Sequence, residues 1–311
     1  MRISAIHCFQ IQHMPAESPE QLETQLQQRT AYDCPGHEME SLGWASPFGE
    51  DSEVLCHAVN GCWLMCAQHE KRLLPSAVVQ DQLHQRIELM KQQGESISRQ
   101  EKQQLKEDIE ATLMPKAFIK RTRTFLYLDA SRQRLIVCAS GRSQVERITT
   151  LLRHTVGHLV LKPLSTPEHT LHAMTQWLST HSLPEHFELG NECRMVQSSK
   201  SQGRIQFTQH TLDQASILQH LQEGNVVTQL ALSLKDMISF KLNQDFSFTG
   251  IKWPEQITEQ PQTESFEHPA QQLDSTFVIL SGILNQVIEA LESHLTPHST
   301  PIHAATEEVM T

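Results

Sequence analysis

The amino-acid sequence predicts an α+β protein in which antiparallel sheets pack against helices. Two observations lead to this prediction. Two segments that read as strands, residues 54–59 and 63–67, flank Asn60-Gly61, which is a strong signal for a tight hairpin turn. Residues 118–161 follow the order strand, strand, helix, strand, and this order is typical of an α+β unit built on an antiparallel sheet.

The remaining elements of the first third of the chain follow from periodicity and from turn residues. Residues 3–11 are predicted to form a strand and residues 18–28 a short polar helix. Residues 33–51 are predicted to be loop and turn, because two prolines and three glycines interrupt them.

Residues 76–113 are rich in Gln, Glu, Lys and Arg, and they predict two helices separated at Gly94. The second helix is expected to begin with a capping box, in which Ser98 and Glu101 bond each other's backbone N–H groups. The apolar stripes on both helices are thin. We therefore expect a helical hairpin that projects from a core rather than filling one.

In the rest of the chain the predicted strands are 118–129, 134–139, 159–161, 226–234 and 237–242, and the predicted helices are 143–156, 170–179, 212–221 and 274–291. The last helix is strongly apolar, which indicates deep burial or an oligomer contact. The chain from residue 296 onward is expected to be disordered. The predicted domains are an N-terminal α+β segment 1–75, the hairpin 76–114, a basic α+β unit 115–165, a C-terminal α+β region 166–292 and a tail 293–311.

Composition excludes several classes of protein. The chain has 311 residues, of which 38% are hydrophobic and 20% charged, and this mixture rules out collagen, a bare coiled coil and a wholly disordered chain. Its apolar runs are far shorter than the roughly 18 residues that span a bilayer, and we identify no signal peptide. We therefore expect a cytoplasmic protein whose seven cysteines are free thiols.

Charge is sharply segregated along the chain although the net charge is −11. Residues 1–70 carry two basic and ten acidic residues, and residues 253–311 carry nine carboxylates and no Lys or Arg. By contrast, residues 115–160 carry nine basic residues and only two acids, Asp129 and Glu146. This pattern indicates one face that attracts polyanions, or alternatively a solvated basic face that meets the acidic segments within the protein.

The strand that begins near Phe118 contains the densest run of cations. A regular strand places Arg121, Arg123, Phe125 and Tyr127 on one face and Phe118, Lys120, Thr122 and Thr124 on the other. Cations mixed with hydroxyls and aromatic rings suit contacts to phosphate groups. The alternative is an edge strand that Lys and Arg keep soluble.

Motifs for phosphate loops, dinucleotide binding, serine hydrolases and zinc proteases are absent from the sequence. One candidate metal cluster contains Cys56, His57, Cys62, Cys66 and His69. Its spacing matches no common zinc pattern, and on a strand Cys62 and Cys66 would lie about 13 Å apart. Buried thiols are therefore the favoured interpretation, and we expect neither a metal nor a cofactor.

Five short motifs occur in an order and at a spacing that resemble the RdgC family of bacterial recombination-associated DNA-binding proteins. They are Leu42-Gly43-Trp44-Ala45-Ser46-Pro47, His57-Ala58-Val59-Asn60-Gly61, Lys71-Arg72-Leu73-Leu74-Pro75, Leu113-Met114-Pro115-Lys116-Ala117-Phe118 and Gly224-Asn225-Val226-Val227-Thr228-Gln229-Leu230-Ala231-Leu232. The resemblance covers residues 1–292.

This resemblance implies a ring-shaped homodimer of α+β subunits whose basic central hole admits DNA. It implies sequence-independent binding of double- and single-stranded DNA, antagonism of RecA-promoted strand exchange, no catalytic activity, no membrane contact and a location at the nucleoid. It gives Phe118 a role in ring contacts and DNA binding. Where the family can carry basic residues, this chain has Phe207, Thr208, Gln209 and His210, so it departs from the family pattern in that loop.

Combining the basic segment with the resemblance, the candidate DNA-binding residues are Lys116, Phe118, Lys120, Arg121, Arg123, Arg132, Arg134, Arg142 and Arg147. The alternative function is a protein-interaction module of the recombination machinery that acts through acidic faces, with DNA binding secondary. A nuclease is the third hypothesis, and the absent phosphate-loop and metal motifs argue against it.

Overall fold

The computed structural model describes residues 1–94, 96–197, 203–208, 215–258 and 269–295. Its α-helices are α1 (Pro19–Leu26), α2 (Ser76–Gln92), α3 (Arg99–Leu113), α4 (Arg142–Val156), α5 (Pro167–Thr180), α6 (Ala215–Gln222), α7 (Glu255–Thr258) and α8 (Pro269–Leu295). Its strands are β1 (Ala5–Ile11), β2 (Glu40–Ala45), β3 (Cys56–Val59), β4 (Cys62–Leu73), β5 (Phe118–Asp129), β6 (Arg134–Val137), β7 (Leu161–Pro163), β8 (Phe187–Gln197), β9 (Arg204–Thr208), β10 (Asn225–Leu234), β11 (Ile238–Asn243) and β12 (Phe248–Lys252).

Two compact units make up the described chain. One consists of Phe9–Lys162, and the other combines Met1–Cys8 with the described residues from Pro163 onward. Both are mixtures of helices and antiparallel strands, which confirms the predicted α+β class. The predicted domain boundaries at residues 75, 114 and 165 stay predictions.

The unit Phe9–Lys162 is built around a long antiparallel pair, in which all twelve residues of β4 are in register with β5. β2 and β3 pair with the other edge of β4, and β6 pairs with β5. Alternate residues of these strands, such as Met65 and Leu126, pack with α1 and α4 in one apolar core. The core includes the C-terminal half of β5 but does not reach its N-terminal end, where the first four residues are exposed.

The other unit contains an antiparallel sheet in the order β9, β8, β10, β11, β12, with Ala5 and Ile6 of β1 beside β12. Helix α5 contacts β10 and α8. The apolar residues that predicted α8, among them Phe277, Leu284 and Leu291, are buried within this one chain, whereas Ile279 of the same helix is exposed. Deep burial therefore explains the apolar pattern of this helix, which gives no separate argument for an oligomer.

Most predicted elements are confirmed, including the 118–129 strand at both ends and the capping box of Ser98 and Glu101. Helices α2 and α3 contact each other; their projection from the core stays a prediction. Strands β8, β9 and β12 lie in segments for which no strand was predicted. In the part of the chain that the structure describes, no helix is both long and apolar enough to cross a lipid bilayer.

The prediction that residues 33–51 are loop and turn is wrong in its middle, because Glu40–Ala45 form β2. Gly43 looked like a chain breaker, but the strand requires it. A Cβ at this position would lie 2.6 Å from the backbone of Ala31, which donates its N–H to the Trp44 carbonyl at 2.7 Å. Glycine within a strand often marks such a close approach of a second backbone.

Candidate nucleic-acid interface

The candidate residues lie mainly on β5 and α4, and β5 has two faces as predicted. Its pairing with β4 sets Glu70 opposite Arg121, Lys71 opposite Lys120 and His69 opposite Thr122. Residues on the two faces have very different neighbours. Each face is therefore described separately.

Arg121 is surrounded by carboxylates. Its Nε donates to Oε1 of Glu70 at 2.7 Å, its Nη1 bonds Glu50, and its Nη2 lies 3.5 Å from Asp33. The Glu70 side chain is only 2% exposed. This guanidinium therefore compensates a buried charge inside its own unit.

The pKa of Glu70 is lower than usual although burial alone would raise it. The N–H of Cys34, which donates to the carboxylate at 2.9 Å, and the guanidinium of Arg121 outweigh the cost of burial. Arg72 adds a further favourable charge. Glu70 is thus an ionised centre that holds the 33–36 loop against the β4–β5 pair.

Arg123 shares the face of Arg121. Its Nη2 donates to the Ser46 carbonyl, and its guanidinium carbon lies 6.0 Å from the centre of the Phe125 ring. On this face the charge of Arg121 is therefore compensated by carboxylates, whereas the guanidinium of Arg123 is engaged by a neutral carbonyl. The prediction that Arg121 and Arg123 contact phosphates stays a prediction.

The opposite face forms a pocket of about 240 Å³ between β4, β5 and the N-terminal half of α4. Three exposed cations, Lys71, Lys120 and Arg147, lie along it. Among the described residues, no carboxylate forms an ion pair with any of the three. The structure adds Lys71 to the predicted residues because of its register opposite Lys120, which the sequence does not reveal.

Phe118 stands at the free end of the same strand pair. Its side chain is 84% exposed, and its cross-strand neighbour Leu73 is 48% exposed. The backbone that leads to Phe118 is held by Arg72, whose side chain is only 6% exposed. The guanidinium of Arg72 donates to the carbonyl oxygens of Cys34, Pro35, Met114, Pro115 and Ala117 at 2.8–3.4 Å. The exposed ring of Phe118 is thus attached to backbone that the hydrogen bonds of Arg72 hold in place.

The other predicted residues are dispersed. Arg134 is buried, with 7% of its surface exposed, and Arg132 bonds the buried Asp129 at 3.1 Å. Arg142 is exposed and pairs with Glu146 at 3.3 Å, whereas Lys116 is exposed just before β5. Phe207 and Thr208 lie in β9. Gln209 and His210 lie outside the described residues.

The candidate metal cluster consists of residues on β3 and β4. Cys56, Cys62 and Cys66 are buried, and burial raises the pKa of Cys56 to about 12. His69 instead contacts Glu40, with its Nε2 2.9 Å from the carboxylate. The interpretation of these cysteines as buried thiols is confirmed. Within the described ranges no group of three or more His, Cys, Asp or Glu side chains is arranged to hold a metal ion.

This is an α+β protein in which three cations on one sheet face form no ion pair with any described residue, and such a surface has the chemistry of a polyanion-binding protein. Comparison with known proteins is more specific. The family model described as "Putative exonuclease, RdgC" matches residues 1–297. The chain therefore belongs to the RdgC family, whose named relatives are recombination-associated proteins.

Three relatives, each named Recombination-associated protein RdgC, illustrate the similarity. The protein of Aeromonas hydrophila is 33% identical over 273 residues, which are 88% of this chain and 90% of that protein. The protein of Proteus mirabilis is 33% identical over 275 residues, covering 88% and 91%. The protein of Yersinia enterocolitica is 30% identical over 279 residues, covering 88% and 92%.

Proposed function

We propose that this protein binds double- and single-stranded DNA without sequence preference, as a ring-shaped homodimer whose cations face a central hole. Occupation of DNA by the ring restrains strand exchange promoted by RecA. The observation that supports DNA binding most directly is the set of exposed cations between residues 115 and 160, of which Lys116, Lys120 and Arg147 have no carboxylate partner among the described residues. Contacts from such cations to phosphate groups carry no sequence information.

A chain with a net charge of −11 can bind a polyanion when its positive charge is concentrated on one surface. Two acids lie within residues 115–160, and both are engaged by arginines: Asp129 by Arg132 and Glu146 by Arg142. They therefore leave the charge of Lys120 and Arg147 largely uncompensated. A ring that turns this segment inward and its acidic segments outward reconciles the net charge with DNA binding.

The test combines light scattering with a titration of random-sequence duplex and single-stranded DNA at two salt concentrations. We expect the mass of a dimer, similar affinity for unrelated sequences and a strong loss of affinity with salt, because bound phosphates release counterions. A monomer at micromolar concentration contradicts the ring. Strong preference for one sequence contradicts the phosphate-contact mechanism.

Phe118 is proposed to make an apolar contact across the ring, at the projecting end of each subunit near the α2–α3 pair. Its ring is exposed beside Leu73 on the strand pair that Arg72 holds in place. We expect Phe118→Ser to weaken dimer closure and DNA binding together, whereas Val54→Ser, which changes another exposed apolar residue outside the α2–α3 pair, is the matched control. Normal dimerisation with loss of single-strand binding alone would indicate that Phe118 stacks on bases instead.

The proposal includes the absence of catalysis, which differs from the exonuclease in the family description. Incubation of labelled duplex and single-stranded DNA with the protein and Mg²⁺ or Mn²⁺ tests this point. We expect the DNA to remain full length. Shortening of the DNA from its ends, in proportion to protein and dependent on metal, would contradict the proposal.

A further inference from the structure

We propose that the pocket between β4, β5 and α4 binds one phosphate group of the nucleic-acid backbone, between the side chains of Lys71, Lys120 and Arg147. This inference rests on the proposed function and assigns one contact point within it. All three cations lie in the unit Phe9–Lys162 and line the same pocket of about 240 Å³. Its apolar floor includes Leu42, Ala67 and Ile148.

The arrangement of the two lysines is the first argument. Lys71 and Lys120 are direct cross-strand neighbours, and like charges in this position repel each other. Glu40 lies opposite Lys71 on its other side, but its carboxylate contacts Nε2 of His69 at 2.9 Å and forms no ion pair with Lys71. An anion between the two ammonium groups would remove this repulsion.

Apart from His69, whose ring contacts the Glu40 carboxylate, the remaining polar groups of the pocket suit a phosphate. Thr122 contributes a hydroxyl group from the face of Lys120, and Arg147 contributes a guanidinium group from α4. The side chain of Gln144 also lines the pocket and is held by a 2.6 Å hydrogen bond from its Nε2 to Oγ1 of Thr124. Guanidinium, ammonium and hydroxyl donors that converge on one space match the several acceptor oxygens of a phosphate group.

The exposure of the cations favours a polymer over a free phosphate ion. Lys71, Lys120 and Arg147 are all exposed, so each contact to a single small anion is weakened by solvent. A nucleic-acid strand brings many phosphates at once and gains from counterion release at each contact. Free phosphate shares the chemistry, and the experiment distinguishes the two sources.

The first measurement compares the double variant Lys71→Gln/Lys120→Gln with Lys91→Gln/Lys106→Gln. The control removes the same charge from lysines that pair with Glu88 at 3.1 Å and with Glu110 at 3.5 Å. We expect the pocket variant to lose at least about tenfold in affinity for random duplex DNA and to reduce the slope of log affinity against log salt by about one. The control should retain both values.

The second measurement uses the unaltered protein and therefore does not depend on the folding of a variant. Lysines are acetylated with a water-soluble reagent, alone, with duplex DNA, or with inorganic phosphate at equal ionic strength, and the modified sites are read by mass spectrometry. We expect DNA to protect Lys71 and Lys120 but not Lys91 or Lys106. Phosphate alone should protect none of the four.

The outcomes separate this inference from the proposed function. If the unaltered protein binds no DNA, the proposed function fails. If it binds DNA while Lys71 and Lys120 stay reactive and the pocket variant keeps its affinity and salt slope, the pocket assignment is overturned and the function stands. Protection by inorganic phosphate but not by DNA would identify a small-anion site and overturn the assignment too.

Discussion

The two faces of β5 differ in what satisfies their cations. On one face Arg121 and Arg123 are bound by Glu70, Glu50, Asp33 and the Ser46 carbonyl. On the other face Lys120 lies beside Lys71 in a pocket without an ion-pair partner among the described residues. The comparison shows that density of positive charge in a sequence does not identify a binding surface. A binding surface is identified by the charges that remain uncompensated after folding.

On the side of the comparison that carries Arg121 and Arg123, replacing Arg72 is expected to have the largest effect on stability. Arg72→Met removes the donor to the buried Cys34 carbonyl and to four partly buried carbonyl oxygens, so we expect the free energy of unfolding to fall by about 3 kcal/mol. Urea unfolding measures this change. Arg142→Met is the control, because its exposed pair with Glu146 contributes less than about 1 kcal/mol. A loss of less than about 1 kcal/mol for Arg72→Met would show that the hydrogen bonds of Arg72 do not stabilise the fold.

Gly43 tests whether β2 needs its close approach to Ala31. Gly43→Ala places a Cβ 2.6 Å from backbone atoms of Thr30 and Ala31, which cannot move without breaking their contact with Trp44, and we expect a loss of about 2 kcal/mol in urea unfolding. Gly141→Ala is matched, since no atom lies within 4 Å of its added Cβ and its φ of −98° is open to alanine. Equal stability of the two variants would contradict the packing argument.

Glu70 makes the stability of the face that carries Arg121 and Arg123 depend on pH. Its pKa in the folded protein lies below the ordinary value of 4.5, so the unfolded chain takes up the proton first as pH falls. The stability that Glu70 contributes is therefore fully present above its ordinary pKa and is lost as pH falls through the lower, folded pKa. We expect stability to fall more steeply below pH 4.5 in the unaltered protein than in Glu70→Gln. Parallel curves would exclude Glu70 as the source.

Local pattern was enough to predict parts of this surface. The alternation of β5 correctly separated Lys120 and Thr122 from Arg121 and Arg123, because side chains of a strand alternate between its faces. The pairing register was not predictable, since it depends on how β4 and β5 align over twelve residues. Lys71 was therefore missed as a neighbour of Lys120.

The carboxylate partners of Arg121 could not be predicted from the sequence either. Asp33 and Glu50 reach Arg121 across 88 and 71 positions of sequence, and such contacts follow from tertiary packing alone. The segment that supplies them was predicted as loop, and β2 within it was missed because Gly43 resembles a turn residue. Arg134 was predicted to bind DNA from its charge, yet its strand carries it into the interior, where 7% of its surface is exposed.

The most direct test of the account compares two adjacent residues on opposite faces, Lys120→Gln and Arg121→Gln. For each variant the affinity for random duplex DNA is measured over a range of salt concentrations, and stability is measured by urea unfolding. We predict that Lys120→Gln reduces the slope of log affinity against log salt, by no more than the value of about one expected for the double lysine variant, and does not lower stability. Arg121→Gln should lower the urea midpoint and leave the slope unchanged, because Arg121 is engaged by Glu70. An unchanged slope in Lys120→Gln, or an equal loss of slope in Arg121→Gln, would contradict the distinction between the two faces.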